Sequence, residues 1–236
     1  MNTLRRLATA ALVAFGFVLA MASQPHHAQA EMMQLTFSGT LTAVDSLLTP
    51  YFSTGQDFQG TVLFDSSAAN VSSDSNIGLY PAISSASIQI GAYQILKTSG
   101  ISNIFVGMNL SFFGGNDMVD LSMNSPLSLS GNLGGFDPNQ LQLKLISFGG
   151  TGFADTSITN MYTASPSQYQ YQYMSLTFSK PSAEQSAGIA MNSARNAFFA
   201  SWNVAPVAVP EPSTYTMAVA GLACGGYSMW RRRERA

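Results

Sequence analysis

Histidine and cysteine are missing from the long central part of this chain, residues 31–208. The two histidines, His26 and His27, lie before it, and the one cysteine, Cys224, lies after it. Their absence there excludes a Ser-His-Asp triad, a Cys-His pair, zinc held by nitrogen or sulfur, and haem held by histidine or cysteine. It also excludes a disulfide, so this part of the chain must be held by its apolar core. Its 178 residues are enough to build one domain with such a core.

Charge is scarce as well. Residues 31–208 hold ten acidic and four basic side chains, a net charge of −6. The whole-chain value of −2 is milder because six arginines sit at the two ends. A phosphate backbone would be repelled, so nucleic acid is not an expected partner. The surface must rest on Ser, Thr, Asn, Gln and Gly, which suits contact with neutral polymers and also favours self-association. No repeat of fixed period is visible.

With these losses, the one enzymatic route left is a carboxylate pair of the glycosidase type. The closest pair is Asp117 and Asp120, in a strand-like run. Three positions apart, they point to opposite faces and cannot flank one bond. No catalytic residue is therefore assigned. Asp65, Asn70, Asp74 and Asn76 form an acidic and amide cluster of the kind whose loop oxygens hold calcium in secreted β proteins. Their spacing fits no EF-hand or nonapeptide loop, and the same residues are ordinary turn formers. Calcium is the only cofactor considered, and none is assigned.

What is present alternates with a period of two. Leu35, Phe37, Gly39 and Leu41 alternate with polar residues, as do Phe58, Gly60, Val62 and Phe64. Ala86 to Ile90, Ile101 to Val106, Met118 to Met123, Leu141 to Leu145 and Leu176 to Phe178 continue the pattern. Turn signals such as Gly114-Gly115-Asn116-Asp117 and Gly149-Gly150-Thr151-Gly152 separate them. Short strands of this kind bury their apolar faces only if two sheets pack or one closes. The expected fold is all-β, an antiparallel β-sandwich, jelly-roll-like. The one helical candidate is Ser182–Asn196, where Ser182 and Gln185 have capping-box spacing and alanines recur; Gly188 and the many serines and asparagines leave a turn alone as the alternative.

The segment Gln168-Tyr169-Gln170-Tyr171-Gln172-Tyr173 sets tyrosines on one face of a strand and glutamines on the other. Tyrosine is a good strand former, so Tyr169, Tyr171 and Tyr173 are expected to face the core, with Gln168, Gln170 and Gln172 outward. Facing outward instead, the three rings would be a platform for glycan contact. The apolar parity changes between Tyr173 and Leu176, which predicts a bulge or a strand end near Met174.

Both ends read as addresses. Arg5 and Arg6 precede an uncharged apolar run, Leu7 to Ala22; Pro25 and the small residues Ala28 and Ala30 follow. This is the layout of a signal peptide cut before Glu31, making signal peptidase a partner. At the other end stand Val209, Pro210, Glu211, Pro212, Ser213 and Thr214, then an apolar run from Tyr215 to Trp230, then Arg231, Arg232 and Arg233. The 16 residues of that run span roughly 24 Å as a helix, short of the ~30 Å hydrocarbon core. Arginines at its end should hold the terminus in the cytoplasm. Pro210 and Pro212 keep the box extended and accessible.

This tail resembles the PEP-CTERM sorting signal of exported bacterial proteins. The resemblance implies a second partner, an exosortase-like membrane protease that cuts at the Pro-Glu-Pro box. The runs Phe37-Ser38-Gly39-Thr40 and Phe58 to Asp65, with Ala86 to Tyr93, also look like a central domain recurrent in that family, which adds no site. The expected organisation is 1–30 signal peptide, 31–204 β-sandwich, 205–208 linker and 209–236 sorting segment with its membrane-spanning helix at 215–230. The expected protein is exported, transiently anchored in the membrane, and then held at the cell surface or in the extracellular matrix. There it acts as a non-enzymatic structural or adhesive module, with extracellular polysaccharide as a possible third partner. The alternatives are a lectin-like carbohydrate-binding module and, third, a carboxylate-dependent glycoside hydrolase.

Overall fold

Alternation at two-residue spacing becomes strand pairing over much of the described part of the chain. The computed structural model describes residues 32–97, 99–100, 102–111, 114–150, 152–163, 169–183, 185–192 and 199–207. In chain order the strands are β1 (Met32–Thr40), β2 (Ala43–Val44), β3 (Asp57–Asp65), β4 (Ile77–Tyr80), β5 (Ile83–Ile90), β6 (Tyr93–Lys97) and β7 (Ser102–Leu110). There follow β8 (Asn116–Asn124), β9 (Ser128–Ser130), β10 (Asp137–Ser147), β11 (Tyr171–Lys180), β12 (Gln185–Asn192) and β13 (Ser201–Pro206). One helical turn, α1 (Asn160–Thr163), separates β10 from β11.

The strands form two antiparallel sheets. One has the order β13-β1-β3-β5-β6-β9, the other β2-β12-β11-β10-β8-β7-β4. The first strand thus pairs with the last, and β2 with β12. All of them belong to one compact unit, Ala30–Val207.

The core forms because each sheet turns one parity inward. From the six-stranded sheet come Leu35, Phe37, Val62, Phe64, Ile88 and Ile90; from the seven-stranded sheet come Val119, Leu121, Leu143, Leu145, Leu176 and Phe178, all buried. Full burial of such a side chain contributes about 1.5–3 kcal/mol before the entropy cost of ordering it. Gly60, on an inward position, is set by space. A Cβ there would lie 2.3 Å from the Phe37 ring of the paired strand, so even alanine would force the aromatic out of place.

Of the two readings of Ser182–Asn196, the described residues show the turn and no helix. Pro181–Ala183 is a single 3-10 turn and Gln185–Asn192 is β12, while residues 193–196 lie outside the described part. Ala187 and Ile189 share a parity and pack inward opposite Phe178 and Leu176, so the gain from completing the sheet outweighs a capping-box spacing. At the end of the domain, β13 carries its pairing with β1 through Ala205 and Pro206, residues read above as linker. Proline is tolerated there because β13 is an edge strand.

Candidate functional site

The two carboxylates nearest each other in sequence take opposite faces of β8, as their spacing predicts. Asp117 is fully buried. Its Oδ1 accepts the Asn109 backbone N–H at 2.7 Å, and its Oδ2 accepts those of Gly152 at 2.6 Å and Phe153 at 3.0 Å. Asn109 has φ 49°, a left-handed conformation that asparagine tolerates better than most residues. The buried carboxylate therefore ties the β7–β8 turn to the loop after β10. Every one of these contacts is to backbone, so Asp117 acts as an organiser of two loops.

Asp120 lies on the outer face of the seven-stranded sheet. Its Oδ2 sits 3.3 Å from the Lys144 ammonium and accepts the Gln142 Nε2–H at 2.8 Å. Its Oδ1 is buried with no hydrogen-bond partner among the described residues. Burial raises the Asp120 carboxyl above its ordinary value of 3.8, and Lys144 and Gln142 offset this only in part. The folded state therefore holds that proton more tightly than the unfolded chain. Its stabilising contribution is complete below 3.8 and is lost as pH rises through the raised folded value. Asp120→Asn should consequently flatten the dependence of melting temperature on pH between about 3 and 7, with no loss of stability at the upper end. A clear drop at neutral pH in that titration series would instead make the Lys144 ion pair a net stabiliser.

The tyrosine segment corrects the expected facing. Within β11 the inward, buried parity is Gln172, Met174, Leu176 and Phe178; on the outer face Ser175 is buried as well, whereas Tyr171 and Tyr173 are half-buried. Their rings stack with centroids 6.2 Å apart and planes 15° apart. Counting back by twos from Phe178 and Leu176 lands on Gln172, so the inward parity never changes. The pairing of β10 with β11 accordingly runs without a bulge from Gln140↔Thr177 to Ile146↔Tyr171. Neither a bulge nor a strand end falls at Met174, because the core takes the Gln172 amide and not the Tyr171 and Tyr173 rings. Burial of Gln172 is tolerated because its Oε1 accepts the buried Phe199 N–H at 2.7 Å.

Tyr169 stands before the strand and is buried as expected, its ring 6.0 Å from that of Phe153. Its hydroxyl has no hydrogen-bond partner among the described residues. Burial, with Asp117 nearby, pushes that hydroxyl well above the usual tyrosine range. Gln170 is exposed, and its Oε1 accepts the Phe148 N–H at 2.8 Å. Gln168 lies outside the described residues. The structure thus brings Tyr171 and Tyr173 together on the outer face, with Lys144 opposite Tyr173 and Asp120 opposite Lys144 in the register, and leaves Tyr169 apart from them.

In the acidic and amide loop cluster, one oxygen each of Asp65, Asn70 and Asp74 fixes nearby backbone. Asp65 Oδ1 accepts the backbone and hydroxyl hydrogens of Ser67, Asn70 Oδ1 accepts the N–H groups of Ser72 and Leu79, and Asp74 Oδ1 accepts that of Asn76. Among the described residues no group of three or more His, Cys, Asp or Glu is placed to hold a metal ion. The residues expected to carry the sorting signals, Ala28, Ala30, Val209 to Thr214 and Arg231 to Arg233, all lie outside the described residues, as does the apolar run 215–230. Among the described residues no helix is long and apolar enough to cross a membrane. No family model matches the chain, and neither a curated protein nor a solved structure matches it.

Proposed function

We propose that this chain is an exported bacterial cell-envelope or extracellular-matrix protein, released from a transient membrane anchor at its Pro-Glu-Pro box. Its β-sandwich then serves as a non-enzymatic structural or adhesive module. The address rests on the tail, Val209 to Arg233, whose proline box, short apolar run and arginine cluster follow one another in the order of the PEP-CTERM signal. The module rests on the sandwich, in which the nearest carboxylate pair is divided between two faces and Asp117 is spent on backbone N–H groups. We read the architecture as jelly-roll-like from the pairing of β1 with β13 and β2 with β12, although β10-β11-β12 is a plain meander.

The second reading, a lectin-like module, is favoured by one observation: Tyr171 and Tyr173 stack on the outer face, where rings and hydroxyls could meet a sugar. A glycan array separates the two. The adhesive reading predicts no discrete soluble oligosaccharide among the hits. The lectin reading predicts such hits and their loss in the Tyr171→Ala/Tyr173→Ala variant.

A further inference from the structure

The outer face of the six-stranded sheet carries a polar surface that antiparallel register alone assembles. Ser201, Ser38, Gln59, Gln89, Gln94 and Ser130 fall in one row across β13, β1, β3, β5, β6 and β9. At about 4.8 Å between strands, that row spans roughly 24 Å. Two residues along the strands, Asn203, Thr36, Thr61 and Ser87 form a parallel row, which the apolar Leu96 interrupts on β6 before Ser128 on β9. Some of these hydroxyls already bond across strands, Ser38 to Ser201 at 2.7 Å and Thr61 to Ser87 at 3.2 Å. Two adjoining shallow hollows, of about 620 and 490 Å³, open on this face and share Ser38, Gln59 and Gln89. Asp57, at one end, is the only charged residue lining either among the described residues.

We propose that this trough is a docking surface for a linear, neutral polysaccharide lying across the strands. The inference rests on the adhesive reading above and names its partner. Three properties select the ligand. An apolar partner would strip water from amides and hydroxyls without replacing their hydrogen bonds, which is costly. An anionic polymer would meet no cation in the trough and a domain of net charge −6. A polyol offers both donors and acceptors, as the glutamine amides and serine and threonine hydroxyls do. The trough is shallow and repetitive, so it grips no single sugar. Retention comes from many weak contacts along one chain, an avidity that monomers cannot reproduce.

Affinity electrophoresis tests this with the processed protein from its producing cells, run through gels cast with hydroxyethylcellulose, dextran, galactomannan or anionic alginate. The parent should be retarded by at least one neutral polymer, not by alginate, equally in low and high salt and without competition from free monosaccharides. Gln59→Ala/Gln89→Ala should weaken retardation about tenfold, the value of two weak hydrogen bonds, while melting like the parent. Four results overturn the proposal. They are a parent slowed by none of the neutral polymers, a double variant slowed as much as the parent, loss of binding only in Tyr171→Ala/Tyr173→Ala, and a parent dimer that the glutamine variant disperses. The third moves the site to the other sheet, and the fourth makes a second copy the occupant. None of the four touches the sorting tail, whose failure would show in the mass of the protein.

Discussion

Asp117→Ala should lower the melting temperature by roughly 8–16 °C, among the largest single-site losses this domain can show. The carboxylate is fully buried and accepts three backbone N–H groups, those of Asn109, Gly152 and Phe153. Hydrogen bonds to a charged group contribute about 1.5–3 kcal/mol, and each donor left unpaired in the interior costs about 1–3 kcal/mol. These costs do not simply add, because the two loops relax together, so about 4 kcal/mol is a reasonable total. At some 2–4 °C per kcal/mol for a domain of this size, the stated shift follows. Asp117→Asn should fall between parent and alanine variant, since its amide keeps one acceptor oxygen and turns donors toward another donor. Thermal melts followed by circular dichroism decide it. An alanine variant that melts within a few degrees of the parent would mean that water or relaxed loops satisfy those amides.

Tyr169 should divide its two substitutions sharply. Truncation to alanine removes a large buried ring and should cost about 3–5 kcal/mol. Tyr169→Phe keeps the ring and deletes a buried hydroxyl that has no partner among the described residues, so it should cost nothing and could gain about 1 kcal/mol. Tyr171→Ala and Tyr173→Ala should each cost well under the Tyr169→Ala value. Both rings are half-buried on the outer face, where a cross-strand or neighbouring aromatic contact is worth about 0.2–1 kcal/mol. Denaturant midpoints for the four variants test the ranking. If Tyr169→Phe loses as much as Tyr169→Ala, the hydroxyl has a partner. If all three alanine variants lose alike, the facing of β11 is wrong.

Local pattern carried most of the fold and little of the site. β1, β3, β5, β8 and β10 were legible because most of their inward residues are aliphatic or aromatic and most of their outward ones are polar; Asp117 inward and Leu63, Met118 and Ile146 outward are among the exceptions. β12 was not, because alanines and a serine-glutamine pair imitate a helix start, and only the neighbouring Leu176 and Phe178 make it a strand. β13 was missed for a related reason. Its partner β1 lies far away in sequence, with Thr36 opposite Asn203, so no local signal announces the pairing. The facing of β11 was available in principle, since parity counted back from Phe178 points to Gln172. The preference for burying rings overrode it. Rows such as Ser38, Gln59 and Gln89 exist only once cross-strand register is known, and register is a property of three strands together.

The most direct test of the export and sorting account is the intact mass of the protein recovered from the cells that make it. The mature chain should begin at Glu31, after the Ala28-Gln29-Ala30 site, and end at the Pro210-Glu211-Pro212 box. A species that still carries Arg231, Arg232 and Arg233 would contradict the account.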